Sequence, residues 1–305
     1  MLTIEKYAAI DIGSNAIRLL VATIIEKEGY PPQFKKTSLV RVPIRLGADV
    51  FLKGKISDEN FQRMLDAMNA FRLIMKTHNV KSYRACATSA MREASNGRDV
   101  AEKIEKETGL PIHIIDGNEE ASLIALTDLK TYLDMNKVFL FVDVGGGSTE
   151  FTVFANGETV ASRSFKLGTV RIINDMVTKG VWDDVKSWIK KNTSKYHSIS
   201  LIGSGGNINS IFKASGIKLG KPLTYFYLTN YYEEIKSLSL HDRIFELNMN
   251  EDRADVIIPA TRIYLSSMKW SNARYIYVPK IGLSDGIIRS LHHEKLAREM
   301  EINPS

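Results

Sequence analysis

The sequence predicts an α/β protein of two related halves, each with a glycine-containing turn at the end of a buried strand, and a cleft between them. Three observations predict it. First, Ala8-Ala9-Ile10-Asp11-Ile12-Gly13-Ser14-Asn15 is echoed by Phe141-Val142-Asp143-Val144-Gly145-Gly146-Gly147-Ser148-Thr149-Glu150. In both, an apolar run ends in an aspartate and then turns through glycine and small polar residues. Second, three strands followed by alternating helices and strands occur twice along the chain. Third, 305 residues exceed what one compact core usually holds. Glycine turns let a backbone approach an anion closely, and their N–H groups form a concave nest. An aspartate at the strand end adds a carboxylate where a divalent cation would meet a phosphate.

The elements follow in order. Residues 7–12 and 17–25 read as a β-hairpin around the first turn, rich in branched residues. Residues 38–45 add a third strand. Ser57-Asp58-Glu59-Asn60 starts a helix in which Phe61, Met64, Leu65, Met68, Phe71, Ile74 and Met75 recur at helical spacing. A strand at 83–87 follows, then a helix over 100–108 that stops at Gly109-Leu110-Pro111. A strand at 112–115 and a helix over 119–132 complete the first half. The second half restarts the theme with strands at 138–144, 151–154 and 159–165. Helices at 169–176 and 181–192, a strand at 200–202 and a helix at 208–214 come next. A helix over 252–268, a strand at 274–278 and a helix over 283–300 close it. The domains divide as 1–124 and 125–305, with the terminal helix free to pack back on the first. No long linker is visible, so the halves are expected to touch.

Composition excludes more than it selects. Formal charge is +6, from 41 Lys and Arg against 35 Asp and Glu. That suits a polyanionic ligand without choosing among phosphate chains, nucleotides and nucleic acid. The single Cys86 precludes an internal disulfide and reads as a small buried residue of a reducing compartment. No signal peptide is visible, and Asp11, Asn15 and Arg18 interrupt the apolar stretch 7–25. A cytoplasmic location without membrane contact is therefore expected. The histidines at 78, 113, 197, 241, 292 and 293 lack metal-binding spacing. With no recognition helix, zinc spacing or aromatic-basic motif, nucleic acid is not an expected partner.

Five segments together match a known pattern: the Ala9–Asn15 turn, Ala87-Thr88-Ser89-Ala90-Met91-Arg92-Glu93-Ala94, Gly117-Asn118-Glu119-Glu120-Ala121, the Val142–Glu150 turn and Gly203-Ser204-Gly205-Gly206. Over nearly its whole length the chain resembles the exopolyphosphatase and guanosine pentaphosphate phosphatase (Ppx/GppA) family. That family is a branch of the actin, sugar-kinase and chaperone ATPase superfamily. The resemblance implies two ribonuclease H-like, actin-like ATPase domains. It also implies removal of the terminal phosphate of inorganic polyphosphate, with guanosine pentaphosphate as the rival substrate. A non-catalytic polyphosphate or alarmone sensor and a small-molecule kinase are the alternatives. Larger members carry further C-terminal helical domains that 305 residues leave no room for, which favours attack on a terminal phosphate over processive degradation. A looser sixth match covers Glu251–Ala260 and implies a phosphate contact for its Arg253. There the chain departs from the family, with Ala260-Thr261-Arg262 in place of a small, glycine-containing pair after the proline.

Hydrolysing a phosphoanhydride needs neutralised phosphate oxygens, an oriented water and a base for its proton. The turns Gly13-Ser14-Asn15 and Gly145-Gly146-Gly147-Ser148 supply backbone donors, and Gly205-Gly206 opens a helix whose N-terminus favours anions. Asp143 and Glu150 flank the second turn as oxygen ligands for magnesium (or manganese), with Asp11 as a third candidate. Glu119 and Glu120 point about 100° apart on a helix, so they cannot do the same job. The resemblance places the general base at Glu120. Arg92 follows a small-residue turn from which its guanidinium could brace phosphoryl oxygens. Arg18 is open between a phosphate contact and a salt bridge to a strand neighbour. Lys213, Lys218 and Lys221 read as solvated surface. A homodimer is left open.

Overall fold

The computed structural model describes residues 2–127 and 137–302. The chain divides into two compact units, Met1–Thr127 with Leu283–Ser305, and Asp128–Gly282. The division thus falls just after the expected 124, and the terminal helix groups with the first unit rather than with 125–282.

In the first unit, β1 (Leu2–Ile12), β2 (Ile17–Lys27) and β3 (Gln33–Val42) form an antiparallel meander. β4 (Ser82–Ala87) runs parallel to β1, and β5 (Ile112–Ile114) parallel to β4. The sheet order is β3-β2-β1-β4-β5. The second half of β1 is central and covered on both faces, so Tyr7–Ile12 is an unbroken buried run. Helices α1 (Leu46–Lys53), α2 (Asp58–Thr77), α3 (Ser89–Glu93), α4 (Gly97–Thr108) and α5 (Gly117–Ala125) fill the connections. The Ser57 side chain caps α2 by accepting from the Asn60 N–H, and Gly109 ends α4 in the left-handed conformation.

The second unit repeats the topology. β6 (Val138–Val144), β7 (Thr149–Ala155) and β8 (Glu158–Phe165) form the meander. β9 (Ile199–Ser204) runs parallel to β6, and β11 (Tyr275–Tyr277) parallel to β9. Read from β8 the order is β8-β7-β6-β9-β11, the order of the first sheet, with β10 (Leu223–Thr224) added at the edge. Helices α6 (Thr169–Ile173), α7 (Lys179–Thr193), α8 (Gly206–Ala214), α9 (Tyr225–Ser237), α10 (Leu240–Phe245), α11 (Glu251–Ala254) and α12 (Ile257–Ser271) complete it. Its core gathers Phe151, Phe165, Ile189, Ile211 and Tyr264. The fold is the duplicated mixed α/β architecture the sequence predicts.

α13 (Leu283–Ile302) packs on β1, β4 and α5 of the first unit. Arg84 on β4 grips Glu294 with two 2.7 Å bonds, and Lys295 bridges Glu26 (2.6 Å) and Glu5 (3.0 Å). His292, 2% exposed, meets Glu26 at 2.9 Å. A cavity of about 560 Å³ lies along this helix, lined by Tyr83, His113 and Arg298 among others.

Several elements differ from the sequence reading. The expected helix 252–268 is two, because Pro259 lacks an N–H and clashes with the carbonyl of a preceding turn; α12 starts at Ile257, placing the proline in its first turn. α9 was hidden by its aromatic residues, which favour strands. It is nevertheless helical, capped by Thr224 accepting from the Tyr227 N–H and buried at Leu228, Tyr231 and Ile235. α1, α3 and α10 are too short to show a period. Of the expected helix 119–132, the described part is α5, and residues 128–132 lie outside the described residues.

Candidate active site

The two aspartate turns are built alike. In the first, the Gly13 N–H donates to Ala16 O at 3.1 Å; in the second, the Gly145 N–H donates to Ser148 O at 3.0 Å. Each turn is then gripped from behind by the short helix that follows its third strand. Gly47 N–H of α1 donates to Ser14 O (2.7 Å), and Arg45 N–H to Asn15 O (2.9 Å). In the second turn, Thr169 N–H donates to Gly145 O (3.0 Å), Val170 N–H to Gly146 O (2.9 Å), and the Arg171 Nε–H to Gly147 O (2.7 Å). A trans peptide points its N–H opposite to its carbonyl. Three captured carbonyls therefore aim the N–H groups of Gly146, Gly147 and Ser148 away from α6, a donor nest ready for an anion. The same logic aims the N–H groups of Asn15 and Ala16 away from α1.

Charge distinguishes the turns. Across β1–β2, Asp11 is register partner of Arg18, and across β6–β7, Asp143 is register partner of Glu150. Arg18 Nη1 donates to Asp11 Oδ2 at 2.9 Å. Burial raises the Asp11 carboxyl above its usual range, opposed by this guanidinium. Of the two readings of Arg18, the structure shows the salt bridge to a strand neighbour. At the same register position the second turn sets carboxylate beside carboxylate. Glu150, 3% exposed, accepts at Oε1 from Ser148 Oγ (2.7 Å) and Ser164 Oγ (2.8 Å).

Asp143 is also register partner of Ser204 on β9, where the third glycine turn begins. Gly205 has φ +111°, a conformation open to glycine. A Cβ there would lie 2.9 Å from Val144 O and 3.4 Å from Asp143 Oδ1. The turn hands over to α8, with Gly206 as its first residue.

Glu120 sits in the first turn of α5. Asp116 caps that helix, its Oδ1 accepting from the Asn118 and Glu119 N–H groups at 2.8 and 2.9 Å. These bonds hold the Asp116 carboxyl below its usual range. Glu119 faces solvent, whereas Glu120 is 8% exposed, so the two carboxylates separate as helical geometry requires. Arg92, at the end of α3, donates Nη1 to Ile115 O (2.6 Å), bracing the strand-to-helix strap in front of Asp116. The rest of its fork remains available for an anion. Ser89 Oγ meets Ser14 Oγ at 2.9 Å, tying the small-residue turn to the first glycine turn.

Arg253 is half-buried in α11, and Lys213, Lys218 and Lys221 are exposed. The departure at 260–262 lies inside α12, where Arg262 stacks over the Trp182 ring at 4.6 Å. Burial pushes the Cys86 thiol up to about 12, as an inert core residue requires. Sequence reasoning missed Gly168, Arg171, Tyr264 and Gly286. Leu167-Gly168-Thr169-Val170-Arg171, placed directly after β8, was the available signal for the first two.

Gly286 bears on the position of Glu120. A Cβ on this residue of α13 would fall 2.1 Å from Leu123 O, one turn beyond Glu120 on α5. Gly286→Ala is expected to displace α5, destabilise the protein by about 1–3 kcal/mol through overpacking, and lower turnover. Thermal denaturation and a rate assay on the same sample check it; unchanged values would mean the contact relaxes freely.

Comparison with known proteins agrees with this construction. The profile of the Ppx/GppA phosphatase family matches residues 29–295. The chain is 31% identical over 227 residues to the bifunctional 3-dehydroquinate synthase/phosphatase of Fusobacterium nucleatum, covering 67% of this chain and 34% of that protein. It therefore spans about a third of that relative's length. It is 23% identical to exopolyphosphatase 1 of Mycobacterium bovis, over 93% of this chain and 87% of that one. Among solved structures, an exopolyphosphatase from Cytophaga hutchinsonii has the same fold with a TM-score of 0.81, at 23% identity, covering 95% and 98% of the two chains. The Aquifex aeolicus member of the Ppx/GppA family gives a TM-score of 0.75 at 23% identity, covering 96% and 99%. No described helix is long and apolar enough to cross a membrane. With the doubled turn, the carboxylate pair and a match across most of its length, the chain belongs to the Ppx/GppA phosphatase family.

Proposed function

We propose that this phosphatase releases the terminal phosphate of inorganic polyphosphate by magnesium-assisted attack of water. The observation that carries the reading is the second turn, where captured carbonyls aim three backbone donors one way beside the register pair Asp143 and Glu150. Curated relatives named exopolyphosphatase support polyphosphate as the substrate.

The donor set fits magnesium. It consists of hard carboxylate oxygens, and no group of three or more His, Cys, Asp or Glu gathers to hold a metal among the described residues. Magnesium is commonly held by one or two carboxylates plus substrate phosphates and water. Asp143 and Glu150 would hold it, the Ser148 and Ser164 hydroxyls fixing Glu150 in place. Asp11, engaged by Arg18, is left to balance that guanidinium rather than to act as a third ligand. When bound, the metal neutralises charge on the phosphate oxygens.

The chain's own groups do the rest. The N–H groups of Gly146, Gly147 and Ser148, with those of Asn15 and Ala16, bind phosphate oxygens. Glu120, buried in the first turn of α5, takes the proton from the attacking water. Arg92 binds phosphoryl oxygens with the part of its fork not engaged by Ile115.

The test is phosphate release from short polyphosphate, long polyphosphate, guanosine pentaphosphate and ATP in parallel, with and without magnesium. Release from polyphosphate that requires magnesium is expected. Preference for guanosine pentaphosphate would reassign the substrate, and transfer of phosphate from ATP to an alcohol would indicate a kinase. Asp143→Ala is expected to shift the magnesium requirement to higher concentration; a titration superposable on the parent's would remove Asp143 from the metal site.

A further inference from the structure

We propose that Tyr264 is a positioning residue that locks the metal-side strand end to the third glycine turn. Tyr264 is fully buried on α12, far along the chain from either turn. Its hydroxyl donates to Ser204 O at the end of β9. The hydroxyl also lies close to Val144 and Asp143 at the end of β6, all three facing the Cβ position of Gly205. One hydroxyl thus sits where the two parallel strand ends that deliver Asp143 and Gly205 come together. The peptide rule applied to α6 applies again here. With the Ser204 carbonyl captured, the Gly205 N–H is aimed away from Tyr264. Crowding completes the bracket, since the Cβ position at Gly205 is 3.5 Å from the Tyr264 hydroxyl and 2.9 Å from Val144 O.

The consequence is a fixed spacing between a cation held at Asp143 and an anion held at Gly205-Gly206. Those two positions are set by the ends of different strands. The β6–β9 ladder reaches Asp143 and Ser204, and beyond it the hydroxyl continues the tie. The proposal rests on the magnesium-phosphatase reading above.

Tyr264→Phe removes one oxygen and keeps the ring that fills the core. The variant is expected to stay folded, bind manganese about 10-fold more weakly by calorimetry, and lose about 10-fold or more in kcat. A single misplaced backbone donor is enough for a loss of that order. KM for polyphosphate should change less, because the other two turns are untouched. Ser204→Ala is the control, since it removes only the Oγ bond to Ile281 O (3.0 Å) and leaves the captured carbonyl in place. A lowered melting temperature with manganese affinity and kcat equal to the parent's would overturn the proposal. Should Tyr264→Phe fail to fold, 3-fluorotyrosine at position 264 gives a second test by fluorine NMR. Manganese is expected to broaden that resonance strongly, and an unbroadened resonance at saturating manganese would overturn the proposal. Failure of the parent protein itself to bind manganese would instead count against the metal reading.

Discussion

Glu120→Gln is expected to lower turnover by about 10² to 10⁴-fold, the usual contribution of a general base. The substitution keeps the size and hydrogen-bonding reach of the side chain but removes its ability to take a proton. Everything that positions residue 120 should survive it. The Asp116 cap bonds only to backbone N–H groups, and Gly286 supports the helix at Leu123 O. Substrate and metal should still bind, so the loss should fall on kcat with KM nearly unchanged. Binding of short polyphosphate by calorimetry, beside steady-state phosphate release, separates the two. Phosphate release at the parental rate would take Glu120 out of the chemistry. The neighbouring Glu119→Gln makes an informative contrast, because that carboxylate faces solvent and should lose little.

Gly168→Ala should be the most damaging single methyl group in the second unit. Its backbone angles, φ −121° and ψ 158°, suit any residue, so conformational strain is not the issue. Space is. An added Cβ would stand 2.2 Å from Gly146 O, and 2.4 Å from the carbonyl carbons of Gly146 and Gly147. All three atoms are backbone, and they belong to the peptides whose N–H groups are proposed to bind phosphate. Either α6 or the turn must move, and with it the bonds from Thr169, Val170 and Arg171. A loss of about 10² to 10³ in kcat is expected, comparable to removing one oxyanion-hole donor, together with roughly 1–3 kcal/mol of stability. Gly180→Ala, where the nearest atom to a Cβ is a side-chain oxygen at 3.7 Å, should be close to silent. Full activity in Gly168→Ala would mean the turn does not bind phosphate.

The hairpins and their carboxylates were legible from sequence because their signals are local. An apolar run, an aspartate, a glycine turn and a second apolar run fall within a few residues, and register then places Asp143 opposite Glu150. The separation of Glu119 from Glu120 was legible from helical geometry, whereas the choice of Glu120 as base came from the family resemblance. The fate of Arg18 was not legible, since the sequence allows it to face a phosphate or a carboxylate, and only strand register pairs it with Asp11. Arg171 and Tyr264 were invisible for another reason. Their partners are backbone carbonyls, and a carbonyl leaves no mark in residue identity. Gly168 and Gly286 are similar, because what they avoid lies in a distant segment of chain. α9 went unassigned because its tyrosines favour strands, whereas its cap and its buried stripe decide for a helix.

The packing of α13 on the first unit has a consequence for the order in which the protein becomes competent during synthesis. The second unit is one continuous stretch and can collapse as soon as its last strand leaves the ribosome. The first unit is completed only later, because α13 lies far downstream of the strands and helix it covers. Closing so long a loop is slow relative to local pairing. The helix bearing Glu120, the proposed proton acceptor, gains its backing at Gly286 only then. A nascent chain stalled before residue 283 would hold the carboxylate pair and glycine nest of its second half, yet lack the support that Gly286 gives the helix of Glu120.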